Sequence, residues 1–308
     1  NIDDGWEVTN GLDPLVDDAQ QDLDNDGYTN IIEFKLAFDP NDAASKPKSN
    51  YGFSVNHSTG HLTKIEFIKG SFHSIGNELL HNFSAFAFNS NSQLYASNYD
   101  GNLYEINLIT GKKVKIGRFG IESIWGMAFD NNNNLYGVSN RNLYQISTDT
   151  GDATLIGDMN NYFNYLAWDG ERLLAKYYSS KQVFEINRDN ASAVLYKELA
   201  LQTDLYEFTF DKEGMLWGQS SRESITSIEV DSNQVLLSTS LNISFDKLTA
   251  DLSDDSDGDG ISNYWEEHYN FNNNDNNDAF IDSDNDGLTN FQEFDVGTDP
   301  HIVDSDGD

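Results

Sequence analysis

Short apolar runs separated by turn residues recur at a regular interval along the middle of the chain. Residues 84–88 and 93–96, for example, are rich in aromatic and small apolar side chains and are bounded by Asn and Ser, as short β-strands are. The isoleucine of the third run recurs at intervals of 41, 40, 40 and 42 residues. These isoleucines are Ile65, Ile106, Ile146, Ile186 and Ile228. Four short strands repeated in this way predict the blades of a β-propeller.

The number of blades depends on how the two ends of this region meet. Second strands of the unit begin near Tyr51, Tyr95, Tyr136, Leu174 and Trp217. Nothing before Tyr51 supplies a first strand, whereas residues 247–253 follow the last unit at the expected interval. We therefore predict that residues 247–253 pair with the strand at Tyr51 and close a mainly β, five-bladed ring without a free edge.

The two flanks have another pattern, in which aspartates alternate with small residues before a glycine. In the 12-residue segment that begins at Asp282, acids occupy positions 1, 3 and 5, glycine position 6, an amide position 9 and Glu293 position 12. This is the order of oxygen ligands in an EF-hand calcium loop. Two further copies begin at Asp22 and Asp255. The predicted ligands are Asp22, Asp24, Asp26, Tyr28, Asn30, Glu33, Asp255, Asp257, Asp259, Ile261, Asn263, Glu266, Asp282, Asp284, Asp286, Leu288, Asn290 and Glu293.

Half-copies of the same loop occur at both ends of the chain. The last residues fill positions 1, 3 and 5, and the first residues fill positions 7, 9 and 12. These half-sites are Asp304, Asp306, Asp308, Ile2, Asp4 and Glu7. One explanation is a fragment cut from an array of such loops. The other is a unit that repeats in tandem, and it predicts calcium-dependent end-to-end self-association.

The charge of the chain narrows the partners that it can bind. The 308 residues carry a net charge of −34, and residues 251–308 contain 18 acidic side chains without any Lys or Arg. Such a chain repels nucleic acid and anionic lipid, so we expect cations, neutral glycans or surface proteins as partners. The sequence has no cysteine and no apolar run that would insert into a membrane. We expect folding of the flanks to be linked to at least three Ca²⁺ ions.

The flanking loops resemble bacterial thrombospondin type-3 repeats. The resemblance rests on the loops above and on the following Gly297-Thr298-Asp299-Pro300, and it covers about a third of the chain. It implies calcium-binding spacers of secreted or cell-surface bacterial proteins. Extracellular loops of this kind bind calcium with dissociation constants of about 10⁻⁴ to 10⁻³ M, which also points outside the cell. The chain departs from animal versions in lacking disulfides and in having Asn at position 9.

The central propeller shows few groups that could perform catalysis. At the start of the innermost strands the aligned residues include Trp125, Asn164 and Tyr206, a combination suited to sugar rings, although such residues also pack between blades. Glu207 is the one acid in the next ring of residues and is a weak catalytic candidate, because a glycosidase needs two carboxylates. A rim hydrogen bond is the alternative role for Glu207.

These observations divide the chain into three parts with separate expected roles. Residues 1–49 and 254–308 are predicted to be calcium-binding repeats, and residues 50–253 the propeller. The expected function is an extracellular structural or adhesion module that displays the propeller to a glycan or a protein. The alternative is a polysaccharide-processing enzyme, a glycoside hydrolase or lyase, with its site in the propeller channel.

Overall fold

In the computed structural model, strands fill the middle of the chain and short helices its two ends. The structure describes residues 2–46, 51–178, 180–199, 204–230, 232 and 234–305. Within them the helices are α1 (Asp4–Thr9), α2 (Asn30–Leu36), α3 (Asn263–Tyr269) and α4 (Asn290–Val296), with a 3-10 turn at Asp278–Phe280. No helix in these ranges is long and apolar enough to span a membrane.

Twenty strands in the described ranges form five antiparallel sheets of four strands each. Blade 1 contains β1 (Tyr51–Asn56), β2 (Leu62–Glu66), β3 (Phe72–Ile75) and the last strand, β20 (Phe245–Ala250). Blade 2 contains β4 (Phe83–Phe88), β5 (Leu94–Asn98), β6 (Asn102–Ile106) and β7 (Lys113–Arg118). Blade 3 contains β8 (Gly126–Phe129), β9 (Leu135–Ser139), β10 (Asn142–Ile146) and β11 (Ala153–Asp158). Blade 4 contains β12 (Tyr165–Trp168), β13 (Leu173–Lys176), β14 (Gln182–Ile186) and β15 (Ala193–Glu198). Blade 5 contains β16 (Glu207–Phe210), β17 (Leu216–Ser221), β18 (Ser224–Glu229) and β19 (Gln234–Ser240).

The ring closes within blade 1, as the sequence predicts. Strand β20 pairs antiparallel with β1, with Gly52 opposite Ala250 and Phe53 opposite Thr249. Strands β4, β8, β12, β16 and β20 are the innermost of their sheets and neighbour one another around the centre. The prediction of a five-bladed propeller is therefore confirmed. Closure supplies β1 with its inner neighbour, so that blade 1 has four strands like the other blades.

The recurring isoleucines explain why the blades hold together. All five lie on the third strand of their blade and are buried between neighbouring sheets. Most inner strands are covered on both faces. Apolar side chains therefore point to both sides, and apolar and polar residues alternate only weakly along these strands. Burial of side chains of this size stabilises the fold by about 1.5–3 kcal/mol each.

The helices of the flanks follow the acidic loops, because each loop ends where a helix can start. Helices α2, α3 and α4 begin at the Asn of position 9 and contain the Glu of position 12. Each ends in a left-handed residue, Ala37, Asn270 or Gly297, which terminates the helix after seven residues. The sequence predicts α2 and α4 with these bounds.

Candidate calcium sites and the propeller channel

The three acidic loops fold in the same way, and their own hydrogen bonds explain the spacing of the acids. In each loop the first aspartate accepts a hydrogen bond from the glycine N–H at position 6. The third aspartate accepts one from the N–H at position 7. In the Asp22 loop the N···O distances are 2.9 Å for Gly27 and 2.8 Å for Tyr28. The corresponding glycines, Gly27, Gly260 and Gly287, have φ angles of 93°, 95° and 101°, which favour glycine.

These turns bring the aspartates of each loop together. Carboxylate oxygens of the three aspartates in each loop lie within 4.8 Å of one another, close enough to share one cation. These clusters are Asp22, Asp24 and Asp26; Asp255, Asp257 and Asp259; and Asp282, Asp284 and Asp286. The glutamates at position 12, Glu33, Glu266 and Glu293, are completely buried beside them. The loops therefore assemble hard oxygen ligands of the kind that calcium prefers.

Unpaired buried oxygens supply the strongest sign that these loops hold a cation. Buried polar atoms in folded proteins almost always have a hydrogen-bond partner. In the described part of the chain the buried side-chain oxygens that lack one are confined to the loops and the residues beside them, except for Glu66 Oε1. Both carboxylate oxygens of Glu33 and of Glu266 belong to this group. A bound cation would satisfy them, so the residues present fit calcium.

The raised pKa values of the glutamates at position 12 also indicate a bound cation. The pKa is raised to about 7 for Glu33, about 8 for Glu266 and about 7 for Glu293, and burial is the main cause in each case. Aspartates of the same loop raise each pKa further by repulsion. Carboxylates that are both desolvated and crowded by like charge destabilise the folded state unless a cation neutralises them.

Two aspartates outside the 12-residue loops also belong to this chemistry, and the motif alone did not reveal them. Asp278 lies with Asp259 and Glu266 in a fourth cluster whose oxygens are within 4.8 Å of one another. Asp18 has an equivalent place in the N-terminal flank, and after burial it is the foremost cause of the raised pKa of Glu7. The signal in the sequence was a shared spacing, since each precedes an intact loop by four residues.

Four of the six residues of the predicted half-sites lie in the described part of the chain. Ile2 and Glu7 are buried, and Glu7 lies in α1, whose N-terminus is capped by Asp3 rather than by Asp4. Asp304 is exposed. Asp306 and Asp308 lie outside the described residues, so the pairing of the two half-loops stays a prediction.

The N-terminal module, residues 2–46, packs at the junction of blades 1 and 5, where α2 contacts β19 of blade 5. Tyr28, at position 7 of the Asp22 loop, is 2% exposed and shares a core cluster with Phe67 and Trp217. Ile32 of α2 packs against the same cluster. Lys69 Nζ, from the turn after β2, lies 4.3 Å from the centre of the Tyr28 ring. A calcium-loop residue is thus part of the propeller core.

The C-terminal module, residues 254–305, packs against blade 1 on the side of blade 2. Phe294 of α4 is buried and meets the Tyr51 ring edge-on at a centroid distance of 5.4 Å. The Tyr51 hydroxyl donates to Asp295 Oδ1 at 2.9 Å, and Lys64 Nζ donates to the Phe294 carbonyl at 3.2 Å. Phe294 and Asp295 directly follow Glu293, the last residue of the Asp282 loop. Blade 1 therefore lies between the two modules.

The channel mouth is the end of the propeller where Trp125, Asn164 and Tyr206 directly precede three inner strands. Trp125 is 42% exposed and Tyr206 36% exposed. Tyr99 meets Trp125 at a centroid distance of 6.1 Å, and Tyr178 meets Tyr206 at 5.6 Å. Asn164 Oδ1 accepts a hydrogen bond from the Tyr178 N–H at 2.9 Å, so this amide holds the aromatic rim in place.

Glu207 has a structural environment within this mouth. Its Oε2 accepts a hydrogen bond from Leu248 N at 2.5 Å, and its Oε1 lies 3.2 Å from Lys247 Nζ. Burial raises the pKa of Glu207, and Lys247 opposes that shift. Among the residues that line the small recess at this point, Glu207 is the one carboxylate. The geometry ties the inner strand of blade 5 to the closing strand of blade 1.

Comparison with known proteins identifies the two C-terminal repeats. The family model described as Bacterial TSP3 repeat matches residues 255–269 and 282–301. These segments contain the Asp255 and Asp282 loops. No curated protein matches the chain. The chain thus combines C-terminal bacterial TSP3 repeats with a five-bladed β-propeller.

Several solved structures resemble the propeller at low identity. A chain of a nidogen/laminin complex is 12% identical, with 66% of this chain and 98% of that chain covered and a TM-score of 0.46. A virginiamycin B lyase from Staphylococcus aureus is 12% identical, with coverages of 65% and 72% and a TM-score of 0.39. A protein of unknown function from Bacteroides thetaiotaomicron is 15% identical, with coverages of 68% and 66% and a TM-score of 0.43. At these identities and TM-scores, the similarities do not indicate a ligand or an activity for this chain.

Proposed function

We propose that this chain is an extracellular calcium-binding display module, in which calcium-ordered repeats hold the propeller for recognition of a neutral glycan or a surface protein. The observation that carries the proposal is the position of blade 1 between two calcium modules. The contacts include a residue in or directly after a calcium loop on each side, Tyr28 on one side and Phe294 on the other. An ion that orders the loop would therefore also fix the blade on which the ring closes.

The residues that would hold calcium are the loop acids together with the backbone carbonyl at position 7. Calcium would supply charge neutralisation and would satisfy the buried oxygens of Glu33, Glu266 and Glu293. The chain's own contribution is to orient each position-12 glutamate through the helix that begins at position 9. The helix that follows each loop would then be held in a fixed position relative to the propeller.

The channel mouth supports the recognition part of the proposal. Exposed aromatic rings offer apolar faces, and nearby amide and hydroxyl groups can form hydrogen bonds, which together suit a sugar ring. The negative charge of the chain disfavours anionic ligands.

An array of neutral polysaccharides, probed with calcium and with EDTA, tests this role. We expect binding in calcium, and we expect Trp125→Ala and Tyr206→Ala each to weaken it about tenfold or more, as loss of an aromatic anchor does. Phe72→Ala is the matched control, because Phe72 is exposed to a similar degree on the outer region of blade 1. Binding that is insensitive to both mouth variants would contradict the proposed surface.

The same samples separate display from catalysis. The engaged carboxylate of Glu207 favours a structural role. We expect no release of reducing ends from the bound polysaccharides. Release that is lost in Glu207→Gln while binding persists would favour a polysaccharide-processing enzyme over a display module.

A further inference from the structure

The connector between the two C-terminal loops contains a buried acid that the loop motif does not include. Asp278 begins the 3-10 turn Asp278–Phe280 and is 8% exposed. Its Oδ2 accepts a hydrogen bond from Asn272 N at 3.1 Å, whereas its Oδ1 is buried and has no partner among the described residues. One oxygen of Asp278 thus closes a turn, and the other is unused.

The turn-closing role alone does not require an acid. At the equivalent turn after the Asp22 loop, Ser45 Oγ accepts from Asp39 N at 3.0 Å. After the Asp282 loop, Ser305 Oγ accepts from Asp299 N at the same distance. A serine supplies the single oxygen that the turn needs. The second, buried oxygen of Asp278 therefore calls for another explanation.

The acidic side chains around Asp278 suggest a role for its second carboxylate oxygen. Oxygens of Asp259, Glu266 and Asp278 lie within 4.8 Å of one another. Glu266 is completely buried, and neither of its carboxylate oxygens has a partner among the described residues. Three acids with unsatisfied buried oxygens converge at one point, and a divalent cation there would satisfy all of them.

Asp278 also contacts the next loop along the chain. Its main-chain carbonyl accepts a hydrogen bond from Asn290 Nδ2 at 2.7 Å. Asn290 holds position 9 of the Asp282 loop and begins α4. The same residue therefore faces the Asp255 site with its side chain and supports the Asp282 loop with its backbone.

The N-terminal module repeats this arrangement. Asp18 is 7% exposed, and its Oδ1 is buried without a partner among the described residues. Its carbonyl accepts from Asn30 Nδ2 at 3.0 Å, and Asn30 holds position 9 of the Asp22 loop. Two separate parts of the chain thus use an aspartate four residues before a loop in the same way.

We propose that Asp278 is a ligand of the cation in the Asp255 loop and that, through its carbonyl, it couples this site to the Asp282 loop, so that the two ions bind with positive cooperativity. The inference rests on the proposed calcium function. Filling the first site would fix Asp278, which would hold Asn290 and α4 in the geometry that the second site needs.

Hydrogen exchange of the full chain during a calcium titration tests this inference, because peptides from α3 and α4 report the two sites separately. We expect Asp278→Ser, which keeps the turn-closing oxygen, to raise the calcium concentration for half-protection of α3 by about tenfold or more. We expect a smaller rise for α4, whose own ligands are unchanged. Asp275→Ser is the matched control in the same connector, since Asp275 is exposed, and it should shift neither peptide.

The outcomes separate the coupling from the calcium function itself. Calcium-dependent protection of both peptides that Asp278→Ser leaves unchanged would overturn the proposal and would leave the calcium function standing. A shift confined to α3 would overturn the coupling. No calcium dependence in the unaltered protein would overturn the proposed function. If Asp278→Ser does not fold in saturating calcium, Asp278→Asn replaces it, and a shift of about threefold or more in α3 is expected, since this variant keeps both the size and an acceptor oxygen.

Discussion

At the scale of single residues, Lys64 is the least expected feature of the molecule. Its ammonium is buried between the Tyr51 and Phe294 rings, at 3.9 Å and 3.0 Å from their centres. Burial lowers the pKa of Lys64 to about 7, although Asp251, Asp295 and Glu66 oppose the shift. The contact between blade 1 and α4 therefore contains a charge that the fold tolerates at some cost in stability.

Stability should consequently rise with pH above neutrality. Between pH 7 and 10.5 the folded protein binds fewer protons at Lys64 than the unfolded chain does, so the free energy of unfolding increases as pH rises. Lys64→Met removes this titration. We expect the variant to be more stable than the unaltered protein near pH 7, and to lose about 2 kcal/mol or more of that advantage by pH 10.

Urea unfolding in saturating calcium at several pH values measures this difference. The neighbouring His73, whose pKa burial and Lys64 lower to about 4, stays neutral throughout the scan. A stability difference between variant and unaltered protein that does not change with pH would show that the pKa of Lys64 is the same in the folded and unfolded states, and would contradict this prediction.

The ligand residues could be predicted because their spacing is local, whereas Lys64 could not. A loop of 12 residues determines its own geometry through hydrogen bonds between neighbours, such as that from Gly287 N to Asp282 Oδ2 at 3.1 Å. The partner of Lys64 is 230 residues away, and nothing in the sequence around β2 indicates it. Asp278 is an intermediate case, since its spacing was visible but its burial was not.

At the scale of elements, the pairing of β1 with β20 depends on the absence of a side chain at Gly52. A Cβ at this position would lie 2.0 Å from Phe67 Cζ and 2.7 Å from the Thr249 carbonyl of β20. We expect Gly52→Ala to destabilise the protein by about 1–3 kcal/mol, as overpacking does. Thermal unfolding followed by circular dichroism measures this, and an unchanged midpoint would contradict the tight fit of the closing strand.

Helix α4 makes the principal contact of the C-terminal module with blade 1. We expect Phe294→Ala to cost about 3–5 kcal/mol in saturating calcium, because it removes a buried ring from the cluster with Tyr51 and Trp265. Phe280→Ala is the control, since Phe280 is 75% exposed, and its effect should stay within about 0.5 kcal/mol. Equal effects of the two variants in urea unfolding would show that α4 does not stabilise the propeller.

The elements themselves were largely predictable, and their docking was not. Strands and helices follow from local alternation, turn residues and loop spacing, and the loop spacing alone predicts helices at residues 30–36 and 290–296. The side of blade 1 that each module covers depends on contacts such as Tyr28 with Phe67, between residues far apart in sequence. Periodicity contains no information about such contacts.

At the scale of the whole molecule, the acidic modules and the propeller pack against each other through shared apolar clusters. The C-terminal module has no Lys or Arg to compensate its acidic side chains, and it lies against the blade where the ring closes. Without cations, repulsion and unsatisfied oxygens would loosen the modules. Blade 1 would then lose its cover on both sides, whereas blade 3, on the far part of the ring, would keep its neighbours.

Hydrogen exchange of each blade with calcium and with EDTA tests this account most directly. We predict that removing calcium speeds exchange in β1, β2 and β20 about tenfold or more, while β8 to β10 of blade 3 stay protected. Equal protection of blade 1 in both conditions, or an equal loss in blades 1 and 3, would contradict the claim that the calcium modules hold the blade where the ring closes.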